Sequence, residues 1–185
     1  MRGWKKLIAV LPACLMSNIY RSIIELVRKA AHLGAKLGIE NILQPGLVKE
    51  MIIADTLGHQ LITSKRHADA CDPNNPKTLY EYLSCKEGGS GQLDRMFKHP
   101  PSSREKSLKR ISRNHKIFLA VFYKSDQLQI KTIYEIAPEI MENEAIRQLE
   151  RSSNDISHVS FSETWAQKNG KEIYQGKKVV MPSGQ

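Results

Sequence analysis

The run KIFLAVFY, residues 116–123, carries six consecutive apolar residues from Ile117 to Phe122. A strand with one wet face alternates polar and apolar side chains; an unbroken apolar run belongs to a strand buried on both faces. A sheet with such a strand needs cover on both sides, and helices supply it, so the run by itself points to an α/β domain. After the turn residues KSDQ, the segment LQIKTIYEI alternates, as a half-covered neighbouring strand does. The expected fold is a mixed central β-sheet flanked by helices.

The other elements follow from periodicity and punctuation. Ser17 is a candidate N-cap for a helix running to about Gly38, with Ile19, Ile23, Leu26, Val27 and Ala30 at helical spacing. QPG at 44–46 breaks the chain, and a second helix is expected from Leu47 to Leu57, stopped by Gly58. Two strands are expected over 61–71 and 78–86, joined by the turn DPNNP. EGGSG is a flexible loop, QLDRMF the start of a short helix, and SSREKSLKRISRN a helix with Ser102 and Glu105 in capping-box spacing. APEIMENEAIRQLE is a further helix with Pro138 in its first turn. Beyond it HVSFS suits a strand, followed by a loop-rich basic tail. The length of 185 residues suits a single domain: 1–45 as an N-terminal helical part, 46–142 as the core, and 143–185 as a C-terminal extension.

Charge narrows the partner. The net charge is +9, which favours an acidic partner such as nucleic acid or an anionic surface. Cys14, Cys71 and Cys85 form no CxxC pair, which argues against a zinc ribbon or disulfide framework and for free thiols in a reducing cytoplasm. MRGWKKLIAVLPACLMS has the outline of a lipoprotein signal, but its apolar run is short and passes straight into a helical pattern, so it is taken as ordinary structure. No segment is long and apolar enough to suggest a membrane span.

The chemistry-bearing stretch is DACDPNNPKTLYEYLSCKEGG, residues 69–89. On a strand over 78–86, Tyr82, Ser84 and Lys86 share one face and Glu81, Leu83 and Cys85 the other. If the turn pairs the two strands, Asp69 and the Ser84/Lys86 end approach one another. A carboxylate holds a divalent cation through oxygen, and a nearby lysine orients water and offsets phosphate charge.

HADACDPNNPKTLYEYLSCK and KIFLAVFYKSDQLQIKTIYEIAPEIM together resemble the core of the PD-(D/E)xK nuclease superfamily, specifically type II restriction endonucleases of the PvuII kind, over roughly residues 46–142. The resemblance implies a restriction-endonuclease-like core and Mg²⁺-dependent hydrolysis of double-stranded DNA by water to leave 5′-phosphates. It implies a homodimer, with the N-terminal helix as the candidate contact, and no membrane. It makes Asp69 the metal-binding acid and Lys86 the catalytic lysine. Two departures stand out: Ala68 precedes Asp69 in place of proline, and Ser84 occupies the position of the second acid. A Ser-x-Lys version within the superfamily takes its missing acid from a helix. Glu50, beside Leu47, Ala54 and Leu57 on a helical wheel, is the first choice for that metal ligand, since an acid on an apolar flank is costly unless paired or metal-bound. Glu105 and Asp94 come next, and Glu81 is in the right strand but assigned to its other face. Arg104, Lys106, Lys109, Arg110, Arg113, Gln92 and Lys98 are the candidate DNA contacts. Two alternatives are another superfamily nuclease acting in repair or on junctions, and a non-catalytic DNA-binding protein.

Overall fold

The computed structural model describes residues 13–63 and 68–178, with side chains from Ile19 onward. The start of the signal-like stretch lies outside the described residues. The chain divides into two compact units, residues 1–44 and 45–185, parting at the Gln44–Pro45–Gly46 break.

In the first unit a helix, α1, runs from Ala13 to Lys36. It is already helical four residues before Ser17, so Ser17 is not its cap. Gly38, at φ 76°, adopts the left-handed backbone that favours glycine and turns the chain, while Ile39 N–H donates to Gly34 O at 3.0 Å. Ile19, Ile23, Leu26 and Leu33 are all exposed on α1. No helix among the described residues is long and apolar enough to cross a membrane.

The second unit is a mixed α/β fold, as the apolar run predicts. Its helices are α2 (Leu47–Leu57), α3 (Pro101–Ser112), α4 (Pro138–Arg151) and α5 (Glu163–Asn169). Its strands are β1 (Gln60–Leu61), β2 (Ala70–Cys71), β3 (Leu79–Lys86), β4 (Ser90–Phe97), β5 (Lys116–Phe122), β6 (Ile130–Ile136), β7 (Ile156–Ser162) and β8 (Lys171–Gln175). Six of them form one sheet in the order β1-β2-β3-β5-β6-β8, while β4 and β7 form a separate antiparallel ribbon. Among the described residues only the central β3–β5 pair is parallel.

The apolar run is β5, and its alternate side chains enter two different cores. Ile117, Leu119 and Val121 pack with Ile111 of α3, Met141, Ala145 and Leu149 of α4, and Val159 and Phe161 of β7. Phe118, Ala120 and Phe122 pack on the other side with Ile53 and Ala54 of α2 and with Tyr80 and Tyr82 of β3. Each such fully buried large side chain contributes roughly 1.5–3 kcal/mol relative to exposure, so the two cores hold α2 and α3 to opposite faces of the sheet.

Several local expectations are corrected. Residues 61–71 are not one strand: β1 and β2 are two strands paired antiparallel, Gln60 opposite Cys71, and residues 64–67 between them lie outside the described set. QLDRMF is strand, in β4, and not helix. Its pairing with β7 shifts register between Leu93 and Met96, a bulge that brings both residues to the core. The bulge gives the two apolar residues a spacing of three, which mimics a helix. The capping box is absent, because α3 starts at Pro101 with Pro100 as N-cap and makes no side-chain cap bond. The expected loop-rich tail holds α5 and β8, the latter closing the sheet against β6.

Candidate active site

The β2–β3 hairpin closes through Asp72 N–H to Thr78 O at 3.0 Å, and Ala70 lies opposite Tyr80, Cys71 opposite Leu79. One step further, Asp69 therefore lies across from Glu81. Asp69 N–H donates to Tyr80 O at 3.0 Å, and Asp69 Oδ2 accepts the Tyr82 N–H at 2.8 Å. Cross-strand partners share a face, so Asp69 and Glu81 stand together on the face that α3 covers. The expectation that Asp69 faces the Ser84/Lys86 end is corrected by this register. A one-residue difference in pairing moves every side chain to the opposite face, and Glu81, assigned to the far face, is the acid that meets Asp69.

Lys86 is the exposed last residue of β3, on the alternate face with Tyr82 and Ser84. Five residues beyond Glu81, it is displaced by about 16 Å along the strand. Two residues beyond Glu81, where the resembled motif carries its lysine, the chain has Leu83, buried in the core with Leu119.

Glu50 lies in the first turn of α2, its N–H donating to Gly46 O at 3.0 Å. Gly46, at φ 88°, leaves room for it: a Cβ there would stand 3.0 Å from Glu50 Oε1. Burial, then the charge of Asp69, pushes the Glu50 carboxyl up from 4.5 to about 7. Burial, again followed by Asp69, pushes Glu81 up to about 8, against the opposing pull of Arg113 and Arg110. Asp69 is also raised, by burial, against its Tyr82 hydrogen bond and the same two arginines. The three acids thus share one electrostatic neighbourhood, with Glu50 entering from α2 and the arginines from α3. Arg113 Nη2 stands 3.9 Å from Glu81 Oε2, too long for a hydrogen bond, and Glu81 Oε2 is buried with no hydrogen-bond partner. Among the described residues no group of three His, Cys, Asp or Glu side chains is arranged to hold a metal ion as it stands.

The other candidates disperse. Glu105 is exposed on α3, and Asp94 pairs through Oδ1 with His158 Nδ1 at 2.7 Å on the ribbon. Among the basic residues, Arg104 is bridged to Glu150, and Lys98 Nζ donates to Ser152 O at 2.9 Å, closing the end of α4. Gln92 Nε2 donates to Ser160 Oγ at 3.2 Å within the ribbon. Lys106 and Lys109 are exposed, while Arg110 and Arg113 face the acids and are partly covered.

Sequence reasoning missed His59, just past α2. Its Nδ1 stands 2.8 Å from Tyr82 Oη, and its ring stacks on Tyr80 with centroids 4.1 Å apart. Burial lowers its pKa, favouring the neutral ring. The alternation Leu79–Tyr80–Glu81–Tyr82 was the available signal: two tyrosines on one face need partners, and the acid between them must face the other way.

No family model matches the chain, and no curated protein matches it.

Proposed function

We propose that the protein is a Mg²⁺-dependent nuclease of double-stranded DNA, in its narrowest form a type II restriction endonuclease acting as a homodimer. The observation that carries this reading is Asp69 standing across from Glu81 on adjoining strands, with Arg110 and Arg113 acting on both and Glu50 of α2 within electrostatic reach. Three carboxylates crowded together raise one another's energy when ionised, and a divalent cation relieves that cost. The donor set fits Mg²⁺, which takes hard oxygen ligands from one or two carboxylates and completes its shell with water and phosphate. Glu81 Oε2, buried and lacking a hydrogen-bond partner, is such a donor. Asp69 and Glu81 would hold the ion from adjacent strands, with Glu50 completing the set from α2.

A bound ion supplies Lewis-acid polarisation of the phosphate and a more acidic water. The protein's own groups do the rest. Glu50 would orient the attacking water by accepting a hydrogen bond from it. Arg113 and Arg110 bring positive charge to meet the scissile phosphate, a role the resemblance gives to lysine and which Leu83 and the distant Lys86 leave open. α1 is the proposed dimer contact: Ile19, Ile23, Leu26, Ala30 and Leu33 alternate steps of four and three, the spacing of a coiled-coil seam.

The test is incubation of supercoiled plasmid and phage DNA with the purified protein and Mg²⁺. Discrete fragments, absent with Asp69→Asn, are the expected result; intact DNA with both Mg²⁺ and Mn²⁺ sinks the proposal. A second reading, a DNA-binding protein without catalysis, is favoured by Leu83 in the lysine position and by the lack of a ready three-ligand group. It expects equal duplex binding with and without Mg²⁺ and no cutting. Preference for branched or mismatched DNA over any short palindrome would instead mark a repair or junction nuclease.

A further inference from the structure

We infer that the β4 bulge and the adjoining surface of β7 and α4 form a second phosphate-contact zone, which holds the DNA backbone away from the cleaved bond. This rests on the nuclease reading above and says where its substrate runs.

Packing explains the bulge, which seats Leu93 and Met96 in the core, but not the choice of arginine at its left-handed position. Arg95 sits at φ 53°, and among the described residues no other non-glycine has positive φ. Its side chain is exposed and makes no hydrogen bond or ion pair among them. Left-handed backbone costs an L-residue roughly 1–2 kcal/mol, and glycine or asparagine would fill the position more cheaply. Strain of this kind gathers where a side chain has to be aimed, and bulges next to active sites re-aim side chains.

The bulge is also tied to the carboxylate site. Arg110 Nη1 donates to Asp94 O at 2.8 Å, and the same guanidinium acts on Asp69 and Glu81. Asp94 Oδ1 in turn holds His158 Nδ1 at 2.7 Å. His158 lines a cavity of about 300 Å³ with Arg147, Gln148, Arg151, Ser152 and Ser157. Much of that lining is engaged within the protein, since Gln148 Nε2 donates to Glu144 Oε1 and Ser160 O, and Ser152 Oγ and Ser157 Oγ bond each other, so the group open to a phosphate oxygen is the Arg151 guanidinium. Glu144 neutralises Arg147 through a two-pronged bridge, while Arg151, whose charge also acts on Glu144, is exposed and makes no hydrogen bond or ion pair among the described residues. Arg95 on β4 and Arg151 on α4 thus add exposed cationic side chains to Arg110 and Arg113 at the end of α3. A surface of this kind follows a phosphodiester backbone and carries no base information.

The test measures binding of a short fluorescent duplex to the full chain in EDTA, by anisotropy at several salt concentrations. Arg95→Glu and Arg151→Glu should each weaken binding about tenfold and lower the slope of log K against log salt by about one phosphate contact, ~0.9. Lys77→Glu, the same charge change on the β2–β3 turn, should alter affinity by less than about twofold. Arg95→Gly separates binding from folding: it should keep or raise the thermal midpoint, since glycine tolerates positive φ, while still weakening binding. Wild-type affinity and slope in Arg95→Glu and Arg151→Glu would overturn this inference and leave the nuclease reading standing. Failure of the wild-type protein to bind duplex DNA would overturn both.

Discussion

A carboxyl that titrates near 8 is costly to ionise at neutral pH, and Glu81 bears that cost because burial and Asp69 together outweigh an arginine 3.9 Å away. The consequence has a definite sign. The folded-state value lies above the ordinary 4.5, so between those limits the folded chain binds more protons than the unfolded chain. Stability without metal should therefore fall as pH rises from about 4.5 to about 8, and Glu50 adds to the fall over its window from 4.5 to about 7. Thermal scans in EDTA at pH 5, 6.5 and 8 check this, and Glu81→Gln should flatten the profile; a midpoint that rises toward pH 8 would contradict the assignment. Because a metal ion takes the ionised carboxylates, added Mg²⁺ should raise the midpoint more at pH 8 than at pH 6. For cleavage, Asp69→Asn and Glu81→Gln should lower activity by orders of magnitude with the fold intact. Lys86→Ala should stay within a fewfold of wild type, since it ends its strand in solvent far from Asp69. Loss of activity in Lys86→Ala with retained Glu81→Gln activity would return the catalytic assignment to the Ser-x-Lys spacing.

At the scale of elements, the entry to α2 positions Glu50. Leu47, Ile53 and Ala54 are its buried residues, so the helix is anchored through one flank and the acid projects from the edge of that flank. Gly46 provides both a positive φ and the space beside Glu50 Oε1. Gly46→Ala should cost about 1–2 kcal/mol from the backbone alone. It should also displace the carboxylate, lowering cleavage more than the modest loss in urea stability predicts; unchanged kcat in a folded Gly46→Ala protein would free Glu50 from a catalytic role. The same scale explains the misread ribbon. β4 alternates until Asp94 and Arg95, where the bulge inserts one extra residue and the periodic signal of a strand fails.

For the whole molecule, a net charge of +9 predicts salt-sensitive association with DNA. The distribution matters more than the total. Arg104 and Lys98 are occupied in holding α4, while Lys106, Lys109, Arg95 and Arg151 are exposed. Charge reversal at Lys109 should therefore weaken binding to all sequences alike, whereas Arg104→Ala should act first on thermal stability. Self-association belongs at this scale too. Leu26→Glu with Leu33→Glu, at residues 65% and 61% exposed, should turn a dimer into a monomer in sedimentation without lowering the melting temperature. A wild-type monomer at micromolar concentration would remove α1 as the contact.

The residues alone determined those features whose signal is local. Six apolar residues in a row, rich in β-branched and aromatic side chains, suit a strand covered twice, and β5 is one, with Phe118 and Leu119 entering separate cores. Gly58 stops α2, Pro138 opens α4, and DPNNP turns the hairpin, because each depends on the backbone preferences of a few neighbours. Glu50 was legible as a candidate because an acid beside apolar neighbours is costly without a partner, and Asp69 through its place in the hairpin and the resemblance that stretch carries. Tertiary structure decided the pairing. Whether Asp69 meets Glu81 or Lys86 depends on which residue closes the turn, and a strand's period of two makes the alternatives equally good patterns until cross-strand packing chooses between them. Burial of Tyr80 and Tyr82 against α2 made that choice, sending Glu81 to the face of Asp69 and α3. The arginines of α3 were visible as charge, but their division between holding the fold and facing the acids arises only when distant segments come together.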